Sequence, residues 1–481
     1  MDRLKVGLIG ASFPNFAAEQ YSVYPRAVAA LEKLATEWDF DLVTVTKPVQ
    51  TAEQAETARR QLEDAGADFL LVQASSFAMG DVILPLARMD VPLGLWAVPE
   101  PSLDGEIPLN SFTGFNMFAS IVRLNLPERR FPFKWFYGEP DDDRFRRRLR
   151  LTVQALTTLK RLRQTRIALI GDIAPTFYNF AYNADSIAER LGVRVEQRSL
   201  DEVFERVPRY ETGQVSALVT EMAGRAADVA VSRDWLELTG RVVLAIRDLA
   251  DQGSYSALAL RCFPEFQSEL GGFGPCAAVS WLNDTGLVTS CEGDVLGALS
   301  MLALHFLSNE PTTLLDLVAV VEAEGQGLVQ FWHCGPTAAS LADEAGLRLI
   351  YHPTLDRASP PGKPPSGAAA DLVLAPGPAT IMRFSSGTDR AFLMTGDIVE
   401  GPTRGYDGSR GWLSNLRING ERASIPDLME TMAYHGLPHH YPLALGEWAE
   451  TLRELAGWSG IDILERIPYQ DHLVSPLLPS E

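Results

Sequence analysis

The sequence is poor in the residues that mark extracellular scaffolds, redox centres and nucleic-acid binders. Only 4 cysteines occur in 481 residues. Cys262, Cys276, Cys291 and Cys334 never make a CxxC pair, so neither a zinc ribbon nor a disulfide framework is expected. They read as small buried hydrophobes. Basic residues are scarce too: 42 Lys and Arg against 62 Asp and Glu leave a formal charge of −20, a surface that repels phosphate backbones and anionic lipid. The one dense basic run, Arg144 to Arg150 with Lys160, Arg161 and Arg163, alternates with leucine at helical spacing and carries no interleaved aromatics. It fits a solvated helix face or a subunit contact. The apolar run before Gly10 and Ser12 is too short for a signal core, and no later stretch is long enough to span a membrane. Neither GxGxxG nor a phosphate loop occurs. These absences predict a cytoplasmic protein with no nucleic-acid and no membrane partner.

What is present is an ordinary globular composition, 46% hydrophobic and 22% charged, in a chain long enough for two or three cores. Short apolar runs alternate with amphipathic stretches at the start: Lys5 to Gly10, Tyr24 to Trp38, Phe40 to Thr46, Ala52 to Ala65, Asp68 to Gln73, Gly80 to Met89 and Pro92 to Val98. That is the pattern of a parallel sheet flanked by helices. After a charged helix from Asp142 to about Arg163 the pattern resumes at Arg166 to Ile170, which opens onto Gly171-Asp172. Beyond Glu310-Pro311 it gives way to short alternating segments separated by Gly and Pro, including a loop from Ser359 to Ser366 with four prolines. Antiparallel strands are expected at Asp371 to Leu374, Thr380 to Ser385, Arg390 to Val399 and Leu413 to Asn419, and a closing helix at Pro442 to Ala456. The fold class is therefore α/β: two Rossmann-like α/β domains with parallel sheets, 1–163 and 164–315, and a β-rich, barrel-like C-terminal domain, 316–481.

Two carboxylates stand out by context. Glu265 follows Cys262-Phe263-Pro264 and Glu292 sits in Ser290-Cys291-Glu292-Gly293-Asp294, each after an apolar strand-like run. A carboxylate in such surroundings must raise its pKa or find a cation, and two converging acids make a ligand pair for Mn²⁺ or Mg²⁺. Each is equally compatible with a first-turn helix acid. Asp294 could exchange roles with Glu292. Only 7 histidines occur, and three fall together in His435-Gly436-Leu437-Pro438-His439-His440. A histidine pair in a Pro/Gly loop suits the completion of a carboxylate-rich metal site, against the alternative of a solvated surface pair. His333, in Phe331-Trp332-His333-Cys334-Gly335, suits a donor to substrate hydroxyls or a structural histidine. Trp332 or Trp412 could floor a sugar ring.

The segment Cys291 to Leu299 (CEGDVLGAL), with Glu265 at 292 − 265 = 27 residues upstream and the late His-His pair, resembles the L-fucose isomerase and L-arabinose isomerase superfamily. Trp96-Ala97-Val98-Pro99-Glu100-Pro101 with Leu109-Asn110-Ser111, the Trp332 to Gly335 segment, and Gly408 to Leu413 extend the resemblance over nearly the whole chain. The resemblance implies a metal-dependent aldose–ketose isomerase with Mn²⁺, or Mg²⁺ or Co²⁺ in its place, held by Glu265, Glu292 and His440. It further implies proton transfer by Glu265 and Glu292, and sugar contacts from His333, His439, Trp412 and Trp96. Because such sites commonly borrow residues from a neighbouring subunit, a homo-oligomer with active sites near subunit interfaces is expected. The chain departs from L-fucose isomerases in its length and in offering Glu292 where they tend to use Asp. It also departs from L-arabinose isomerases, because His305 falls on an apolar helix face where they place a further metal-binding histidine. The substrate is thus left open among pentoses, 6-deoxyhexoses and C6-modified hexoses, including a sulfonated one. A non-catalytic sugar-binding or sensing protein is the competing class.

Overall fold

The computed structural model describes residues 3–323, 326–355 and 366–474, so the proline-rich loop expected at Ser359 to Ser366 lies, except for Ser366, outside the described residues. The chain divides into two compact units, Met1–Arg161 with Thr451–Gly460, and Leu162–Glu450 with Ile461–Glu481. The expected 164–315 and 316–481 regions thus fall in one unit, apart from a ten-residue segment that belongs with the first.

Unit 1 is a five-stranded parallel sheet, β1 (Leu4–Ala11), β2 (Phe40–Thr44), β3 (Phe69–Ala74), β4 (Leu93–Ala97) and β5 (Phe133–Tyr137), in the order β2-β1-β3-β4-β5. Its central strands are buried on both faces, which is why they read as continuous apolar runs. The helix Val23–Trp38 buries Val23, Ala27, Leu31 and Leu34, one stripe at helical spacing. The basic run lies in the helix Asp143–Arg163, where Arg146 pairs with Glu37 and Lys160 with Asp68. Trp96, expected to meet sugar, is instead 1% exposed inside this unit. Its indole N–H donates to the Gly138 carbonyl at 2.9 Å and its ring packs on Phe145. Because β4 is buried on both faces, no side of the strand would have exposed it.

Unit 2 carries two sheets. The first is parallel, β6 (Arg166–Ile170), β7 (Arg194–Arg198), β9 (Ala257–Leu260) and β10 (Val288–Ser290), in the order β10-β9-β6-β7. A two-residue strand, β8 (Asp228–Val229), joins the other sheet instead. That second sheet holds β11 (Thr313–Ala323), β12 (Gln326–His333), β13 (Arg348–Tyr351), β14 (Ala368–Val373), β15 (Gly377–Phe384), β16 (Arg390–Val399), β17 (Ser409–Ile418), β18 (Glu421–Arg422), β19 (His440–Leu445) and β20 (Asp462–Ile463). Six of these strands close on themselves antiparallel, β16-β15-β19-β11-β12-β17 and back to β16. Closure removes the exposed edges of those strands, and Leu315, Val329, Phe331, Ile381, Phe392, Leu413, Tyr441 and Leu443 fill the inside. The expected closing helix starts later than its proline suggested. Pro442 belongs to β19, opposite Leu314, because Tyr441 and Leu443 are needed in the barrel core, and the helix runs over Ala449–Ser459. The two expected Rossmann-like sheets and the β-rich region are all present. Among the described residues no helix is long and apolar enough to cross a membrane.

Candidate active site

The parallel sheet and the barrel rim of unit 2 meet at a cluster of acids and histidines. On the sheet side, β10 ends at Ser290 and the chain turns through Cys291-Glu292-Gly293-Asp294 into the helix Val295–Ser308. Glu292 takes φ 63° and Gly293 φ 73°. A left-handed backbone costs a side-chain-bearing residue about 1–2 kcal/mol. Gly293 has no alternative, since a Cβ there would lie 2.3 Å from the Asp172 carbonyl oxygen. The strain at Glu292 aims its carboxylate out of the turn, while Asp294 caps the helix by accepting from the Gly297 N–H at 2.9 Å. On the barrel side, register places Asp316 of β11 opposite His440 of β19 and opposite Trp332 of β12, so Asp316, His333 and His440 share one rim.

Hydrogen bonds fix which nitrogen of each histidine is available. Asp294 is fully buried and receives Arg383 through both guanidinium nitrogens, at 2.6 and 2.9 Å. Its Oδ2 also lies 2.9 Å from His440 Nδ1. Burial works against the ionised form of Asp294, but Arg383 and His440 hold its pKa well below the usual carboxylate range. An ionised carboxylate only accepts, so His440 carries its proton on Nδ1 and turns Nε2 toward the Glu292 carboxylate, 3.2 Å away. His439 is oriented the other way. The Asn179 amide reaches its Nδ1 at 3.1 Å, leaving Nε2–H facing Glu292 at 3.5 Å. Phe180 stacks on the His440 ring and lies against His439. In His333, Nδ1 accepts from the Cys334 N–H at 2.8 Å, which leaves Nε2–H as a buried donor.

Four buried polar atoms here make no hydrogen bond of good geometry, Glu292 Oε2, Asp316 Oδ1, His333 Nε2 and His440 Nε2, although Glu292 Oε2 lies in ion-pair range of both His440 and His439. Leaving one such atom bare costs about 1–3 kcal/mol, and four at one place mark a site built for a ligand. The atoms fall into two overlapping groups, Glu292–His439–His440 and Asp316–His333–His440, each within 4.8 Å. Carboxylate oxygens with an imidazole nitrogen suit Mn²⁺, Mg²⁺ or Co²⁺ rather than a thiophilic ion. The charges agree: burial opposes ionisation of Glu292, yet His439 and His440 bring its pKa down to about 2. Burial alone would lower His440, but Asp294 and Glu292 lift it to about 9.

Of the residues expected from the sequence, Glu292, His333, His439 and His440 come together. Glu265 does not join them. It is the first residue of the short helix Glu265–Glu269, and Arg261, one helical turn earlier, takes both its carboxylate oxygens. Its neighbour therefore neutralises it, and it belongs to neither group. Trp412 is 5% exposed, its indole bonded to the Thr403 carbonyl at 2.9 Å, so it offers no floor to a sugar. Asp294, held as a substitute for Glu292, instead orients His440. Asp316 and Arg383 escaped the sequence reading. Each is a lone charge inside an apolar strand run, which was the signal that could have found them.

No family model matches the chain. Curated relatives do. A sulfoquinovose isomerase from Priestia aryabhattai is 30% identical over 399 residues, covering 81% of this chain and 83% of that protein. One from Alkalicoccus urumqiensis is 28% identical over 411 residues, covering 83% and 86%. Among solved structures, a sugar-binding solute-binding protein of an Agrobacterium vitis ABC transporter aligns with 64% of this chain and 90% of its own at 11% identity. Its TM-score of 0.17 is too low to argue for a binding protein. The parallel sheets, the barrel and these relatives put the chain among the sugar isomerases. Within that class it belongs to the sulfoquinovose isomerase family.

Proposed function

We propose that the chain is a divalent-metal-dependent aldose–ketose isomerase of the L-fucose and L-arabinose isomerase type, with sulfoquinovose as its aldose. The observation that carries the metal is His440 Nε2, shared by two groups of potential ligands, Glu292–His439–His440 and Asp316–His333–His440, each with its ligand atoms within 4.8 Å of one another. The substrate comes from the named relatives.

Glu292 Oε2, Asp316 Oδ1 and His440 Nε2 would hold the ion, Mn²⁺ first and Mg²⁺ or Co²⁺ as substitutes. When bound it supplies an electrophile for two adjacent sugar oxygens. The remaining work falls to the chain. Arg383 holds Asp294 and Asp294 holds the His440 proton on Nδ1, so that Nε2 is the nitrogen that would give up its proton and offer a lone pair to the ion. His333 Nε2–H donates to a sugar oxygen, and His439 Nε2–H keeps the Glu292 carboxylate in place. With Glu292 committed to the ion, Glu265 is the carboxylate left to carry the proton between C1 and C2 of an enediol, once it swings off Arg261.

A sulfonate needs donors and no competing acid. A cavity of about 120 Å³ beside His439 meets that need. It is lined by Asn179, Arg383, Ser385, Ser386, Arg390 and His435 together with apolar side chains, and no carboxylate is among its lining residues. Arg383 Nε is there without a partner. Replacement of Arg390 by Gln should raise KM for sulfoquinovose several-fold and leave that for a neutral hexose unchanged. An unchanged KM for both would put the sulfonate elsewhere. Exposed apolar side chains on unit 1, Leu103, Ile107 and the contacting Phe112 and Tyr137, support a homo-oligomer, and a monomer in light scattering would refute it.

The reading as a whole is tested by incubating metal-stripped protein with sulfoquinovose, with and without Mn²⁺, and following aldose-to-ketose exchange. Conversion only with the ion is expected, and absent in Glu265→Gln with ion binding retained. Full conversion without the ion, or by Glu265→Gln, would overturn it.

A further inference from the structure

Beneath His333, three groups with lone pairs for metals or oxidants lie in contact. Cys276 Sγ is 3.3 Å from Cys334 Sγ and 3.3 Å from His352 Nε2. The trio has the composition of a thiolate-rich metal site, but its hydrogen bonds exclude that use. His352 Nδ1 accepts from the backbone N–H groups of Leu355 at 3.2 Å and Thr354 at 3.3 Å. The ring proton therefore sits on Nε2, the nitrogen a metal would need, and is donated to Cys276 Sγ. Cys334 adds a second contact. Either sulfur can be the donor in its 3.3 Å contact with Cys276. What remains is a pair of thiols in van der Waals contact, one of them buried and the other part-exposed.

We propose that Cys276 and Cys334 form a reversible peroxide-sensitive dithiol, whose closure to a disulfide displaces His333 and silences the candidate site. Two steps balance the reaction. One thiol takes an oxygen from hydrogen peroxide, giving a sulfenic acid and one water. The other sulfur then attacks it, forming the S–S bond and releasing the oxygen as a second water. Each sulfur loses one electron, and the peroxide oxygens gain two. A dithiol reductant reverses the sequence by exchange.

The link to the site is direct. A disulfide requires the sulfurs to approach to about 2.05 Å, so one or both must move by roughly 1 Å in total. Cys334 cannot follow freely. Gly335 at φ 120° is packed so that even a Cβ there would lie 2.6 Å from the Ala370 nitrogen. Cys276 is held at the start of the helix Cys276–Asp284. Cys334 is also tied to His333 Nδ1, through its N–H at 2.8 Å and its sulfur at 3.1 Å. Its shift therefore moves the donor that faces Asp316 and His440. The other two cysteines, Cys262 and Cys291, are both buried and hydrogen-bonded to each other, a second thiol pair against which the selectivity for Cys276–Cys334 is measured.

The test treats the full-length protein with excess hydrogen peroxide, quenches free thiols, and maps the peptides. A Cys276–Cys334 cross-link with loss of two hydrogens is expected. Turnover should fall about a hundredfold, the cost of a displacement near 1 Å at a reacting centre, and return with dithiothreitol. Cys276→Ala should keep turnover and become insensitive to peroxide, whereas Cys262→Ala should behave as the unmodified protein. Absence of the cross-link overturns the proposal. So does a cross-link that leaves turnover unchanged, or equal inactivation of Cys276→Ala. Mapping on the unmodified chain needs neither a folded variant nor the right sugar, so a failed cross-link is distinguishable from a mistaken substrate.

Discussion

The carboxyl edges of the two parallel sheets have the same architecture and opposite chemistry. In unit 1 the strands run out into Ser12, Ser75, Ser76 and the nearby Ser111, uncharged groups whose needs are met locally. Ser75 Oγ donates to Gln73 at 2.8 Å, Ser76 Oγ accepts from the Phe13 N–H, and Ser111 Oγ donates to the Ala74 carbonyl at 2.6 Å. In unit 2 the corresponding edge runs into Glu292 and Asp294 and faces a barrel rim with two more buried histidines and an acid. There, satisfaction stops one layer short: Asp294 is fully paired, while the atoms in front of it have only loose ion-pair contacts and no hydrogen bond of good geometry. Strand ends are ligand edges in both sheets by topology. Only the pattern of unmet hydrogen bonds separates an edge that is structurally complete from one that offers donors and lone pairs to a ligand.

Removing a bare atom should therefore be far worse for function than for folding. Glu292→Gln and His440→Ala should each cut kcat/KM by about 10³-fold, the few kcal/mol an electrophilic ion contributes, with the circular dichroism spectrum retained. Variants within tenfold of the parent would place the chemistry elsewhere. One layer back, Asp294→Asn should weaken ion affinity by about 10–100-fold, because an amide no longer dictates the His440 tautomer. It should also destabilise the fold by about 3–5 kcal/mol, since Arg383 is left buried without its charge partner. An equal loss of stability with unchanged ion affinity would reduce Asp294 to a structural role.

Acidity should expose the same layer. The ion needs the Nε2 lone pair, and in the ion-free protein a proton holds His440 with a pKa of about 9. Affinity should rise about tenfold per pH unit below 9 and level off above it, one proton being displaced per ion. A flat profile from pH 6 to 9 would contradict His440 as a ligand. The stability of the ion-free protein moves in the other direction. A folded pKa above the unfolded value of about 6.5 stabilises fully below that value, and the contribution fades as pH climbs through about 9. In unit 1 the expected effect is smallest: Trp96→Phe should cost about 1 kcal/mol, its hydrogen bond to Gly138, and leave kcat within twofold. A large drop in kcat would restore the substrate role that burial denies it.

Much of this arrangement can be read from residue order because it is local. The α/β alternation, the Glu292-Gly293-Asp294 turn between a strand and an apolar helix, and the late histidine pair all declare themselves within about ten residues. What escapes is set by pairing between distant strands. Asp316 becomes part of the site only because β11 lies between β12 and β19, and Arg383 matters because β15 brings it to Asp294, 89 residues away in sequence. The aromatic expectations run into burial for a related reason: a tryptophan beside a motif does not reveal how deeply its strand is packed, and Trp96 and Trp412 are both buried. Glu265 was legible in part. Arg261 stands only four residues before it and was always close enough to claim it.

The central claim is that the Glu292, Asp316 and His440 atoms form one ion site. Titration of the metal-stripped full chain with Mn²⁺, followed by the electron paramagnetic resonance signal of the free ion, tests it without reference to any sugar. The account predicts one tightly held Mn²⁺ per chain, lost in Glu292→Gln and in His440→Ala and retained in Glu265→Gln. No uptake by the parent protein, or uptake that both of the first two variants preserve, would contradict it.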